Sequence, residues 1–250
     1  MKNAFTLAEV LITLAIIGVV AAITMPTLIQ NHQKKSLEVA TKKFYSMMSQ
    51  AVRQYMVDEG VDDLRNTPMT DMSEDLSNGE AAQEATENFV RKYLKVAKEC
   101  EDGCFADNYK TQTNEISEYI GAKSSEKSYT GKFVLADGMV IDIDPANSSF
   151  PITLYVDVNG EKGPNKIGYD LWNMSIFYDG SIDESGVNPE CKQGKKAKDG
   201  LKYLCGGRGT TPSEARETQF INCINEERAG GNNYGGCFGH FLENGFKFDY

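Results

Sequence analysis

The sequence holds only two histidines, His32 and His240, and neither stands at ligand spacing from another metal-binding side chain. That scarcity removes the His-x-x-x-His zinc pair and leaves no convincing general base. No Gly-x-Ser-x-Gly elbow and no Gly-x-x-x-x-Gly-Lys phosphate loop occurs, so the common hydrolase and nucleotide-binding signatures are missing as well. Positive charge is in deficit, with 26 basic against 36 acidic residues and a net charge of −10. This balance disfavours nonspecific binding to nucleic acid and describes a soluble, self-repelling domain. The short basic patch Lys195-Lys196-Ala197-Lys198 reads as a solvated loop. Tryptophan is present once, at Trp172, where the neighbouring apolar residues fit strand packing better than a sugar platform. Cys237 and His240 come nearest to a nucleophile and its base, yet the cysteine-rich surroundings favour a bridged cysteine. The composition therefore points away from an enzyme.

What the sequence does hold is an apolar run from Val10 to Met25, preceded by Phe5-Thr6-Leu7-Ala8-Glu9. About twenty apolar residues suffice to cross a bilayer. A carboxylate at the start of such a span is costly and calls for a partner. The leader Met1-Lys2-Asn3-Ala4 is short and basic and ends in a small residue; cleavage after Ala4 would leave Phe5 with a free α-amine, a cation to face Glu9. A conventional secretory signal cut after Ala22 would also use small residues. Against it stand the acid at Glu9 and the near absence of a leading basic region.

Ala4-Phe5-Thr6-Leu7-Ala8-Glu9, the apolar run and Pro26 together resemble the N-terminus of type IV pilins and of the pseudopilins of type II secretion. Ala4 stands where most members carry glycine, and a small residue still fits a protease cleft. The resemblance implies removal of residues 1–4 by a membrane prepilin peptidase and methylation of Phe5. It also implies assembly with identical or related subunits at an inner-membrane platform, Glu9 of one copy neutralising the amine of another. Counting basic residues does not orient the span, because Lys34, Lys35, Lys42 and Lys43 follow it. The resemblance places the leader in the cytoplasm and the head outside, periplasmic or extracellular. No nucleic-acid partner is expected.

The fold expected is α+β and pilin-like. Residues 5–25 form the membrane or filament-core helix, residues 26–60 its continuation, and residues 61–250 a globular head. Leu37, Ala40, Phe44, Met47, Met48, Ala51, Val52 and Tyr55 recur at spacings of three and four, so one helix runs to near Gly60, with a kink expected at Pro26. Gly18 and Ala22 form a small-xxx-small pair. Ser77-Asn78-Gly79-Glu80 resembles a capping box ahead of a second helix reaching about Lys98. Four strands follow: 132–135 and 139–143 around the Asp137-Gly138 turn, then 152–158 and 171–178. They make an antiparallel sheet of about four strands laid on the outer half of the long helix. From Val187 the chain is glycine-rich, with a short helix from Ser213 to Glu227.

Six cysteines in an exported head fit an oxidising compartment. Neighbour pairing, Cys100 with Cys104, Cys191 with Cys205 and Cys223 with Cys237, is the expectation among the fifteen connectivities open to six cysteines. One segment is a candidate ion site. Asp157, Asn159, Glu161 and Asp170 are hard oxygen donors around a glycine-rich turn, the ligand chemistry that Ca²⁺ prefers, although the EF-hand layout is absent. The alternative for this stretch is a loop in which Asp, Asn and Gly supply turn conformations. An alternative function follows from the ion site: a secreted or membrane-tethered binding domain, such as an adhesin, with a calcium-ordered loop.

Overall fold

In the computed structural model the described residues are 6–71, 73, 78–100, 104–114, 116, 131–147, 151–187, 211–224 and 235–250. The first helix, α1, spans Leu7–Glu59, about 80 Å at 1.5 Å per residue. It opens on a capping box, with Thr6 and Glu9 exchanging side-chain bonds to each other's backbone amides. It closes at Gly60, whose left-handed φ of 68° suits glycine, and Val61 N–H returns to Met56 O at 3.0 Å in a Schellman-type end. Pro26 sits inside the helix, which continues on both sides of it. Its ring removes one backbone donor from the helix and crowds the carbonyl of Ala22.

The two halves of α1 differ in what covers them. Leu37, Thr41, Phe44, Met48, Ala51, Val52 and Tyr55 are buried, an unbroken stripe that packs on the head. Thr41 joins that stripe because its hydroxyl donates to Leu37 O at 2.9 Å, so no polar group is left bare. From Leu7 to Ile29 the large apolar side chains stand outside the head and exposed.

After a short 3₁₀ turn at Leu64–Asn66 come β1 (Thr70–Asp71), α2 (Gly79–Tyr93), β2 (Val96–Cys100), β3 (Gly131–Leu135) and β4 (Val140–Asp144). Then follow β5 (Ala146–Asn147), β6 (Ile152–Asp157), β7 (Leu171–Ile176), β8 (Ile182–Asp183), α3 (Pro212–Ile224) and α4 (Cys237–Glu243). The main sheet is antiparallel, in the order β2-β3-β4-β6-β7-β8; β1 and β5 form a small parallel pair beside it. Phe133, Ile141, Ile143, Leu154, Val156, Trp172 and Met174 meet the buried stripe of α1 in one core.

The sheet has six strands rather than four. Residues 96–100 extend the sheet instead of the second helix. Leu94 leaves helical geometry at φ −115°, ψ 154° and is buried, and the chain then pairs with the open edge of β3. β8 is added by the Asp179-Gly180 turn, where Gly180 has φ 78° and the chain folds back on β7. Asn78 makes no side-chain cap on α2, and Ser77 lies outside the described residues. At the first hairpin Gly138 takes φ 86° and its N–H donates to Leu135 O at 2.9 Å, so the Asp-Gly turn forms as its sequence requires.

Candidate functional site

Among the four candidate ion ligands, Asp157 and Asp170 come together, both fully buried, at facing ends of β6 and β7. Their oxygens already have donors. Asp157 accepts from Tyr109 Oη at 2.5 Å and from Asn159 N at 3.1 Å; Asp170 accepts from Asn165 N at 2.7 Å and Lys166 N at 2.6 Å. Asn159 directs its amide nitrogen to Lys162 O and Gly163 O, and Glu161 is exposed. Only the Asn159 carbonyl oxygen is buried without a partner among these donors. Hydrogen-bond donors thus already engage the two buried carboxylates, and the described residues hold no group of three or more His, Cys, Asp or Glu side chains able to bind a metal.

The arrangement works as a clamp. Asp157 holds Tyr109, and Asp170 holds the turn at Asn165 and Lys166, while Lys110 N–H bonds to Asn165 O at 2.8 Å. Segment 104–114 is thereby fastened to the β6–β7 connection. Burial raises both carboxyls, Asp157 to about 7 and Asp170 to about 6, against the opposing pull of their hydrogen bonds. Calcium at millimolar concentration should therefore leave the melting temperature of the protein unchanged. A rise of several degrees in a thermal melt would show that the clamp opens to receive the ion.

The C-terminal region is fastened in a second way. Cys223 of α3 is bridged to Cys237 of α4 with Cα atoms 5.5 Å apart, and Cys100 is bridged to Cys104 with Cα atoms 6.1 Å apart. Cys191 and Cys205 lie outside the described residues. Glu184, just beyond β8, is 1% exposed. Its Oε2 accepts the amides of Phe238 at 2.9 Å and Gly239 at 3.3 Å, the first turn of α4, and its Oε1 accepts Ser185 N at 3.0 Å. Neighbouring Asp183 receives Arg216 Nε of α3 at 3.1 Å. Two consecutive acids therefore hold the two terminal helices to the sheet edge. Beyond α4 the chain lies back on α1, where Phe248 N donates to Glu38 Oε1 at 3.0 Å and Lys34 Nζ to Tyr250 O at 3.3 Å.

At the other end of α1, Glu9 Oε2 accepts both Thr6 N and Thr6 Oγ1 at 2.8 Å, and Glu9 N donates to Thr6 Oγ1 at 3.3 Å. The Thr-x-x-Glu spacing carries this capping box openly, and it gives Glu9 a partner within its own chain. Behind it α1 contains the one stretch among the described residues that is long and apolar enough to cross a membrane, and none of that stretch is buried in the head. Leu7 is 79% exposed and Ile23 70%. An exposed apolar surface of this extent marks a contact with a membrane or with other protein.

Residues 1–25 match the prokaryotic N-terminal methylation motif, the signature of type IV pilins and pseudopilins. The chain carries the prepilin signature. Residues 27–117 match a second model, a family of unknown function (DUF6613). No curated protein and no solved structure matches the chain significantly. The prepilin motif ends at Met25 and the second match begins at Thr27, so the boundary between them falls at Pro26. There α1 passes from the apolar exposed half toward the half that packs on the head. Ala4 and Phe5, the residues expected to flank the cleavage, lie outside the described residues, whereas Glu9 and Pro26 sit on α1.

Proposed function

We propose that this chain is a structural subunit of a type IV pilus or of a type II secretion-like filament. The observation that carries the reading is the methylation motif running directly into a half-helix whose apolar side chains are exposed on every side. A helix that is apolar all round requires lipid or other helices around it. In the precursor lipid covers it, with the leader in the cytoplasm and the head on the far side. Prepilin peptidase cuts between Ala4 and Phe5 and methylates the new amine. The assembly platform then moves the subunit sideways into a bundle of equivalent helices, where Glu9 meets the Phe5 amine of a neighbour. Transfer from lipid to helix bundle gains little from hydrophobic burial, because both surroundings are apolar. The charge pair and the helix packing around Gly18 and Ala22 therefore set the register. The work is mechanical, with the head as the decorated surface.

The test is the intact mass and N-terminal sequence of the mature protein recovered from native membranes. A start at Phe5 carrying the mass of one added methyl is expected. A start at Ile23 would identify a conventional secreted protein and overturn the reading.

A further inference from the structure

Basic residues on the outer side of a span run against the usual charge bias of membrane proteins. The fold adds to those that follow this span. Segments 104–114 and 165–167 lie side by side and bring Lys110 next to Lys166, with Ile167 N–H on Lys110 O at 2.9 Å. Lys166 Nζ lies 5.0 Å from the ring centre of Tyr169, and Lys34 Nζ of α1 lies 5.5 Å from the same ring. Two ammonium groups from distant parts of the sequence thus meet at one aromatic ring, and the bridge between the two segments sets Lys110 beside the second of them. None of the three pairs with an Asp or Glu side chain among the described residues; Lys34 donates to Tyr250 O, which also accepts from Tyr169 Oη at 3.0 Å, and Lys166 donates to Asn114 Oδ1 at 3.5 Å. Burial first, then the charges of Lys34 and Lys110, lower the pKa of Lys166. In a protein of net charge −10 this crowding of like charge is unusual, and an anion from outside the chain would relieve it.

The height of the cluster identifies that anion. The exposed apolar run from Leu7 to Ile29 is about 34 Å long, close to the ~30 Å of a hydrocarbon core. Lys34, five residues further on, stands about 7.5 Å above Ile29, the depth of one headgroup layer. Tyr169, Phe248 and Tyr250 pack around it, the aromatic chemistry of a membrane interface. Lys42 stands about 20 Å above Ile29, beyond a Debye length of ~8 Å, and Lys43 is engaged with Asp137 at 2.7 Å.

We propose that the foot of the head, Lys34 and Lys166 at Tyr169 with Lys110 beside Lys166, binds the phosphate groups of anionic lipids in the leaflet it faces. This rests on the membrane-held precursor described above. The contact holds the head against the bilayer until assembly lifts it away, and its weakness, a few surface charges, suits a contact that must be broken.

Full-length protein would be placed in nanodiscs of phosphatidylcholine alone or of phosphatidylcholine mixed with phosphatidylglycerol. Lysine acetylation rates would be read by mass spectrometry. Lys34, Lys110 and Lys166 should react roughly fivefold more slowly in the anionic discs at low salt, the factor that one charge near an anionic surface is worth. High salt should abolish the difference. Lys92, bonded to Asp58 near the far end of α1, should not change. The K110E/K166E variant should lose the protection of Lys34 while keeping its melting temperature. Equal rates in both lipids would overturn the proposal. So would protection that follows protein density instead of lipid charge, which would make a second copy the occupant. Failure of the chain to enter discs at all would overturn the membrane reading and this contact with it.

Discussion

Glu9→Gln should reduce incorporation into sheared filaments at least tenfold, whereas Thr6→Ala should leave it within about threefold of the wild type. The two substitutions separate two roles that one carboxylate plays. As a cap, Glu9 accepts Thr6 N and Oγ1 on Oε2, and glutamine retains an acceptor oxygen for the same bonds. As a charge, it is the partner proposed for the Phe5 amine, and glutamine removes that. Thr6→Ala inverts the comparison, losing the hydroxyl of the cap, typically worth about 1 kcal/mol, while the carboxylate stays. A tenfold loss corresponds to about 1.4 kcal/mol, a modest demand on an ion pair shielded from water. Glu9→Ala should assemble as poorly as Glu9→Gln. The head and its membrane insertion should be untouched in all three, since Glu9 is remote from every buried residue of α1. Equal defects in Thr6→Ala and Glu9→Ala, with normal assembly of Glu9→Gln, would assign Glu9 to capping alone. The measurement is the ratio of subunit in the sheared filament fraction to subunit in membranes.

The parts of this fold that were legible in the sequence are those whose signals are local. The stripe from Leu37 to Tyr55 was visible because an α-helix repeats its contacts at three and four, and the β3–β4 hairpin because Asp137-Gly138 can adopt the turn that few other pairs can. Residues 96–100 were misleading for a related reason. Tyr93 and Ala97 continue a helical spacing, but the open edge of β3 competes for the same backbone and wins once Leu94 is buried in the core. The Thr6–Glu9 box was readable from its spacing, yet the apolar context directs attention to a partner in another chain. Glu184 gave no signal at all. Its partners in α4 lie more than fifty residues away, and an acidic pair before a glycine-rich stretch looks like a solvated turn. Likewise Asp157 and Asp170 read as oxygen donors for an ion, and only the fold shows that backbone amides and the Tyr109 hydroxyl bond to those oxygens.

Glu184→Ala should lower the melting temperature by about 10 °C, the largest single effect expected in the head. The substitution leaves the Phe238 and Gly239 amides buried and without an acceptor, at about 1–3 kcal/mol each. For a domain of this size each kcal/mol is about 2–4 °C. The Cys223–Cys237 bridge would still link α3 to α4, so the expected product is a head whose terminal helices loosen together. The pH dependence provides an independent check. Burial raises the Glu184 carboxyl to about 7, opposed by the amides of Gly236, Gly239 and Phe238, whereas an unfolded glutamate titrates near 4.3. Between those values the folded state holds the proton more tightly, so stability is greatest below about pH 4 on this account and is lost as pH rises through 7. The raised values of Asp157 and Asp170 act in the same direction. Wild-type protein should therefore melt several degrees higher at pH 5.5 than at pH 8, and Glu184→Gln, which cannot ionise, should show a smaller difference. A wild-type melting temperature that rises with pH across that interval would mean that the buried amides hold these carboxylates ionised, reversing the sign of the argument.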